Sequence, residues 1–192
     1  MTRISIAIAV ALAAGCSGTP PVLPELELSF VARNGVTLER LVQTPAQRAC
    51  SGRPSAEERG AIEQAARAGV RFPAGDEFLG DWRRGEQIAQ SGRGLQYNDP
   101  PGAPAGGNCY GCHRLGRTEL AQGTLGPSLE GYGDRVGRTP QALRATWVRL
   151  YDSHALAACS VMPRFGAGAI LSEAQLRDVM ALLLDPDSPV NR

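Results

Sequence analysis

Two cysteines and a histidine stand close together in the second half of the chain, at a spacing that supports a specific chemistry. The segment from Cys109 to His113 reads Cys-Tyr-Gly-Cys-His. Two thiols at this spacing can each add to one of the two vinyl groups of a haem, and the adjacent histidine can then bind the iron. The motif therefore predicts one covalently attached haem c, with thioethers at Cys109 and Cys112 and His113 as an iron ligand.

Two other chemistries also use a Cys-x-x-Cys pair. A redox disulfide of the thioredoxin type needs a βαβ setting, which the sequence around Cys109 does not predict. A zinc site needs four ligands, and no second Cys/His pair has the spacing of a zinc site. A structural or metal-binding role without haem stays open as an alternative at this point.

A second iron ligand must come from the few remaining residues, which are Met162, Met180 and His154. Pro163 disfavours helical geometry at Met162, so this methionine is expected in a loop that can present its thioether. Met180 lies on the apolar face of a predicted helix and His154 near the end of another, and both stay open as alternatives. Ligation by histidine and methionine raises the reduction potential and leaves no open iron position, so the site is expected to transfer electrons.

The nitrogen of His113 that does not bind iron needs a hydrogen-bond acceptor that fixes the ring. A loop with the sequence Gly-Pro-Ser-Leu, residues 126–129, follows this histidine. Proline makes the loop rigid, and we expect a backbone carbonyl there, assigned to Pro127, to be the acceptor. The alternative is an ordinary turn.

The two propionates of a haem need cationic partners. Arg164 lies two residues after Met162, and arginine can meet a carboxylate with two parallel hydrogen bonds. Arg164 is therefore the first candidate, with Arg135 and Arg138 as further candidates.

Capping signals predict the helices that position these residues. Serines at 55 and 172 each begin a capping box, and Thr139-Pro140 combines an N-cap with proline at the first helical position. Helices are predicted over about residues 55–69, 76–90, 139–151 and 172–185. Asn34-Gly35 predicts a hairpin turn. With long connections rich in glycine and proline, the chain is predicted to be mainly α.

The first residues predict export. Residues 4–14 form an apolar run that follows Arg3, and the run is too short for the roughly 20 residues that span a bilayer, as in a secretory signal. Small residues before Cys16 resemble a lipobox, in which Cys16 is lipidated; an ordinary cleaved signal peptide is the alternative. We expect a signal peptide over 1–15, a tether and extension over 16–75, and a haem domain over 76–192, in the periplasm.

Cys50 and Cys159 remain unassigned, and disulfides persist in an oxidising compartment. A disulfide between them is predicted, with two separate buried thiols as the alternative.

Composition excludes other classes of function. Twenty basic residues, all of them arginine, face 19 acidic residues, for a net charge of +1, and no basic stripe is present. A nucleic-acid partner is therefore not expected. No catalytic residue is expected either, since each cysteine has another predicted role.

Several of these motifs together carry a resemblance. The Cys-x-x-Cys-His motif, the Gly-Pro loop, a Met-Pro pair and a last helix are similar to class I cytochromes c. More narrowly, the block Cys-Ser-Val-Met-Pro-Arg-Phe-Gly over residues 159–166, and the tail over 181–191, resemble SoxX, the monohaem subunit of the SoxAX cytochrome of bacterial sulfur oxidation. The resemblance covers about residues 81–191.

This resemblance implies a class I cytochrome c-like fold around one haem c, with Cys109, Cys112, His113 and Met162 as its ligating residues. It implies a heterodimer with a SoxA-type cytochrome, which carries the catalytic cysteine of an L-cysteine S-thiosulfotransferase. The complex couples thiosulfate to a cysteine of the SoxYZ carrier protein, and this chain would pass electrons to a small downstream cytochrome c. A free-standing monohaem electron carrier is the alternative.

Overall fold

The computed structural model describes residues 28–116, 119 and 121–192. The predicted signal peptide and Cys16 lie outside these residues. The chain divides into two units, Met1–Val31 and Ala32–Arg192, and the architecture below is that of the second. Residues 32–75 thus belong to the same unit as residues 76–192.

The second unit is built from α-helices joined by long loops, which confirms the predicted mainly α class. The part of the chain that the structure describes contains no β-strand beyond one isolated bridge. The helices are α1 (Leu38–Leu41), α2 (Pro45–Ser51), α3 (Ala56–Ala68), α4 (Trp82–Gln90), α5 (Tyr132–Val136), α6 (Pro140–Tyr151) and α7 (Glu173–Leu184), with 3₁₀ turns at Ala74–Asp76, Cys109–Gly111 and Ser153–Ala155.

Three helices begin where their capping signals predict. The side chains of Ser55 and Ser172 each accept a hydrogen bond from the backbone N–H of the third helical residue, in complete capping boxes. Thr139 accepts from the backbone of Ala142, and Pro140 follows it. The predicted starts of α3, α6 and α7 are therefore confirmed.

The predicted start of α4 near Asp76 is wrong, because α4 begins at Trp82 with Asp81 as its N-cap. The preceding chain is held against α7, where the N–H of Gly80 donates to the carbonyl of Arg177 at 2.9 Å. A Cβ at Gly80 would lie 2.2 Å from a carboxylate oxygen of Asp178. This tertiary contact keeps the segment out of the helix.

The hairpin predicted at Asn34-Gly35 forms only as a turn. Both residues have positive φ, 52° and 79°, as a type I′ turn requires, and Arg33 and Val36 exchange both backbone hydrogen bonds. Pairing stops at this one bridge. The side chain of Asn34 instead donates to the carbonyl of Tyr97 at 3.0 Å, which ties the turn to a distant loop.

The helix α7 forms the centre of the core. From Leu176 to Leu184 all its residues except Arg177 are buried. The helix α4 crosses it so closely that a Cβ at Gly85 would lie 2.1 Å from the carbonyl oxygen of Asp178. The buried carboxylate of Asp178 accepts two hydrogen bonds from Arg84, at 2.8 and 2.9 Å. This contact and this ion pair fix α4 on α7.

No helix within the described residues is long and apolar enough to span a bilayer.

The substitution Gly85→Ala tests the close contact of α4 with α7. Its methyl group would overlap the backbone of α7, so the helices must separate, at a cost of about 1–3 kcal/mol in the free energy of unfolding. Gly60→Ala is the matched control, because a Cβ at this exposed position in α3 meets no atom within 4 Å. It should instead stabilise the protein by about 0.5–1 kcal/mol. Urea unfolding followed by circular dichroism measures the free energy of unfolding of both variants. A Gly85→Ala protein as stable as the wild type would contradict the close contact.

Candidate functional site

A cavity of about 490 Å³ lies on one side of α7. Its volume falls within the range of about 300–1,000 Å³ that is typical of ligand pockets. Cys109, Cys112, His113 and Met162 all line it. The rest of the wall is mainly apolar and includes Leu115, Leu129, Leu150, Phe165, Val179 and Leu182. The structure therefore brings together four of the residues that the sequence predicted to act jointly.

The Cys-x-x-Cys-His segment is positioned by the end of α4. The N–H of Gly107 donates to the carbonyl of Ile88 at 2.8 Å, and the N–H of Asn108 donates to the carbonyl of Ser91 at 2.9 Å. Asn108 has a φ of 45°, a left-handed conformation that asparagine adopts more readily than most residues. This bend turns the chain into the 3₁₀ turn Cys109–Gly111 and so points the motif into the cavity.

Both cysteines of the motif are free thiols. Burial, and to a smaller extent the nearby Cys112, raises the pKa of the Cys109 thiol to about 12. A reactive cysteine of a redox Cys-x-x-Cys pair needs the opposite environment, one that lowers the thiol pKa. The surroundings of Cys109 therefore do not favour a thioredoxin-type nucleophile.

The ring of His113 is held by the loop 126–129. Its Nδ1 lies 2.7 Å from the carbonyl oxygen of Pro127. A carbonyl can only accept, so Nδ1 carries the proton and Nε2 is left as the nitrogen for a metal. A Cβ at Gly126 would lie 2.2 Å from the ring. The contact with Pro127 lies where the sequence predicted it, whereas the need for glycine at 126 was missed.

Among the three candidate axial ligands, only Met162 lines the cavity. Met180 is fully buried in the core that α7 forms. His154 is also buried, and its Nε2 donates to the carbonyl of Ser160 at 3.3 Å. The hydroxyl of Ser153 donates to the carbonyl of Met162 at 2.6 Å, which holds the methionine loop in place.

A disulfide between Cys50 and Cys159 joins α2 to the methionine loop, as predicted. Two polar contacts from α3 reach the same segment. The Nε of Arg67 donates to the carbonyl of Ala155 at 2.5 Å, and the carboxylate of Glu63 accepts from the N–H of Ala158 at 3.2 Å. The residues before the Cys-x-x-Cys-His motif thus brace the loop that carries Met162.

Two of the three arginines that the sequence named as candidate propionate partners do not line the cavity. Arg164 is absent from the cavity wall, and its guanidinium lies 3.8 Å from the buried carboxylate of Asp152. Arg138 is also absent from the wall and pairs with Asp134 at 3.3 Å. Arg135, the third candidate, does line the cavity, and so does Arg149, which the sequence did not predict.

Arg149 was missed by the sequence reasoning, although helical periodicity carries the signal. Thr146, Arg149, Leu150 and Ser153 follow one another at the spacing of a single helix face, and all four line the cavity. Positions i, i+3 and i+4 share a helix face, so Arg149 lies on the face that Thr146 begins three residues earlier.

The donors on the cavity wall suit an iron that already has most of its ligands from a cofactor. No group of three or more His, Cys, Asp or Glu side chains is arranged to hold a bare metal ion anywhere in residues 28–116, 119 and 121–192. A haem iron needs only one or two protein ligands, such as a histidine nitrogen and a thioether sulfur. The residues present therefore fit a haem c, with Cys109 and Cys112 available for the thioether bonds.

No protein-family model matches the chain. The chain is similar to a protein of Aquifex aeolicus (strain VF5) named "Uncharacterized lipoprotein", with 36% identity over 129 residues. The similarity covers 66% of this chain and 60% of the relative, so the chain spans less than two thirds of the relative's length.

Replacing both Cys50 and Cys159 by serine tests the brace on the methionine loop. The bond crosslinks residues 109 positions apart. Its loss should lower the free energy of unfolding by about 2–5 kcal/mol, because the unfolded chain is no longer constrained. Urea unfolding with and without a thiol reductant measures this. The reductant should lower the stability of the wild-type protein to that of the variant and leave the variant unchanged; equal stability of the oxidised wild type and the variant would contradict the prediction.

Proposed function

We propose that this chain is a monohaem c-type cytochrome of the class I type that transfers electrons. Cys109 and Cys112 would form the thioether bonds to the haem, and His113 and Met162 would bind its iron. The observation that supports this most is that these four side chains line one largely apolar cavity of about 490 Å³. When bound, the haem supplies a one-electron Fe(III)/Fe(II) couple.

The surrounding residues prepare this cavity for electron transfer rather than for substrate binding. The carbonyl of Pro127 keeps the proton on Nδ1 of His113 and orients Nε2 for the iron. Met162 would offer a thioether sulfur to the iron, a ligand that favours the reduced state and leaves no position for a substrate. The mainly apolar walls disfavour water in the cavity.

The rim of the cavity offers a short path for electron transfer to a partner protein. Leu125 and Val161 both line the cavity, and their side chains are 71% and 77% exposed. Exposed apolar side chains that surround a site are typical of a contact surface for another protein. A partner that docks on this rim would bring its own redox centre close to the cavity.

We further propose that the chain is the electron-transfer subunit of a thiosulfate-oxidising complex of the SoxAX type. The support for this is the motif block over residues 159–166, which resembles SoxX. The cysteines of the described residues also fit a subunit without a catalytic thiol, because Cys159 is bonded to Cys50 while Cys109 and Cys112 line the cavity. A SoxA-type partner would supply the nucleophilic cysteine, and SoxYZ would be the carrier.

Activity with thiosulfate and carrier should require the added SoxA-type subunit, and turnover by the chain alone would contradict this.

We also propose that the chain is exported and anchored to a membrane through a lipid on Cys16, facing the periplasm. The support is the lipobox-like sequence before this cysteine, together with the similarity to a protein named as a lipoprotein. The mass of the mature N-terminal peptide tests it, since a diacylglyceryl and acyl modification at Cys16 is expected.

Replacing Cys109 and Cys112 together by serine should abolish covalent haem attachment, because serine hydroxyls do not add to the vinyl groups. Expression in cells that mature c-type cytochromes, followed by acid–acetone extraction and an absorption spectrum, measures the retained haem. The Cys50→Ser, Cys159→Ser protein is the matched control, since it loses two cysteines that do not line the cavity, and it should keep its haem. Retention of haem by the first variant would contradict the proposal.

The substitution Met162→Ala should remove the sulfur ligand from the oxidised iron. The weak long-wavelength absorption band typical of ferric iron bound to a methionine sulfur should then disappear, and the reduction potential should fall. Met180→Leu is the control, because this buried methionine packs in the core, and the band should persist in that variant. A band that survives Met162→Ala and is lost in Met180→Leu would reverse the assignment.

A further inference from the structure

The charged side chains of the cavity are all of one sign. Arg135 and Arg149 line it, and no aspartate or glutamate is found among its described lining residues. The other titratable groups on the wall are His113, Cys109, Cys112 and Tyr132. Two guanidinium groups in a mainly apolar wall, without an acidic side chain beside them, point to an anionic ligand with more than one charge.

Arg149 differs from the other arginines near the site because its guanidinium has no ion-pair or hydrogen-bond partner among the described residues. Arg138 and Arg164, by contrast, each face a carboxylate of the protein, Asp134 and Asp152 respectively. Arg149 is an exposed residue near the end of α6, and it lies on the helix face that lines the cavity. All five of its N–H donors are therefore available to a ligand.

Arg135 is held at the same cavity by the loop that orients His113. Its guanidinium donates to the carbonyl of Ser128 at 2.9 Å and to the carbonyl of Glu130. These two bonds leave further donors of the fork free. Arg135 can thus bind an anion and support the loop of Pro127 at the same time.

We propose that Arg149, together with Arg135, binds the two propionate carboxylates of the haem, so that the carboxylate site is built from α5 and α6. This inference rests on the proposed haem and goes beyond it, because it assigns the opposite end of the ligand. Two guanidinium groups match two carboxylates in charge, and arginine binds a carboxylate with two parallel hydrogen bonds. Carboxylates that enter an apolar cavity require such partners, because an unpaired charge there is costly.

A consequence for the iron follows from the charge of the carboxylates. A propionate that loses its proton places a negative charge near the iron, which favours the oxidised state. The reduction potential therefore falls as the pH rises through the pKa of the propionate. A guanidinium in contact keeps that pKa low, by about 1–3 pH units. Removing Arg149 should raise the pKa of the propionate. The pH range over which the reduction potential falls, called the falling segment below, should therefore move to higher pH.

The test uses the haem-containing full chain and three variants, Arg149→Gln, Arg149→Lys and Arg53→Gln. The midpoint potential of each is measured against pH by spectroelectrochemical titration. Arg149→Gln should shift the falling segment upward by about one pH unit. Arg149→Lys keeps the positive charge and should shift it less. Arg53 is exposed and does not line the cavity, so Arg53→Gln should match the wild type.

The outcomes separate the inference about the propionates from the proposed function. A haem-containing Arg149→Gln protein with the wild-type profile overturns this inference and leaves the proposed function intact. Equal shifts in Arg149→Gln and Arg53→Gln overturn it too, because any lost surface charge would then have the same effect. A preparation without covalent haem overturns the proposed function, and the inference with it. Because Arg149 is exposed and has no partner among the described residues, its variants are expected to fold, and circular dichroism checks this.

Discussion

The contact between the backbones of α4 and α7 at Gly85 supports both halves of the cavity. Because glycine lets the two helices meet at this point, the far end of α4 comes within hydrogen-bond distance of residues 107 and 108, just before the cysteine motif. The same contact fixes α7, whose residues Val179 and Leu182 form part of the cavity wall. A larger spacing between these helices would therefore move the motif relative to the wall that faces it.

The two sides of the cavity are held by different kinds of interaction. On the side of the cavity that carries His113, backbone hydrogen bonds join the motif to the loop 126–129. One of them runs from the N–H of Gly126 to the carbonyl of Cys112 at 2.8 Å. On the methionine side, the loop is held by single polar contacts and by the disulfide to α2. Isolated contacts of this kind stabilise a loop less than a packed helix does, so the methionine side depends on the extension that precedes the motif.

The sequence predicted those features that local chemistry determines. The starts of α3, α6 and α7 follow from a side chain that caps the backbone a few residues away. The partner of His113 follows from the need of a ligating imidazole for a rigid acceptor.

The true start of α4 could not be predicted in this way, because a contact of Gly80 with α7 decides it. Arg164 was assigned from its distance along the chain to Met162, but neighbours in a loop point in different directions, and the side chain faces Asp152 instead. The helix α2 was missed although Thr44 and Gln47 form a capping box there.

The disulfide between Cys50 and Cys159 encloses both cysteines of the motif within its loop of sequence. The four cysteines among the described residues can pair in three ways. During synthesis from the N-terminus, Cys50 meets the thiols at 109 and 112 before Cys159 exists, so pairing in order of emergence would join the wrong partners. The native arrangement therefore requires that the motif thiols be shielded from oxidation, or that early bonds be exchanged by thiolate attack. If Cys109 and Cys112 form the proposed thioether bonds, maturation must keep their chemistry in order with disulfide formation within a single chain.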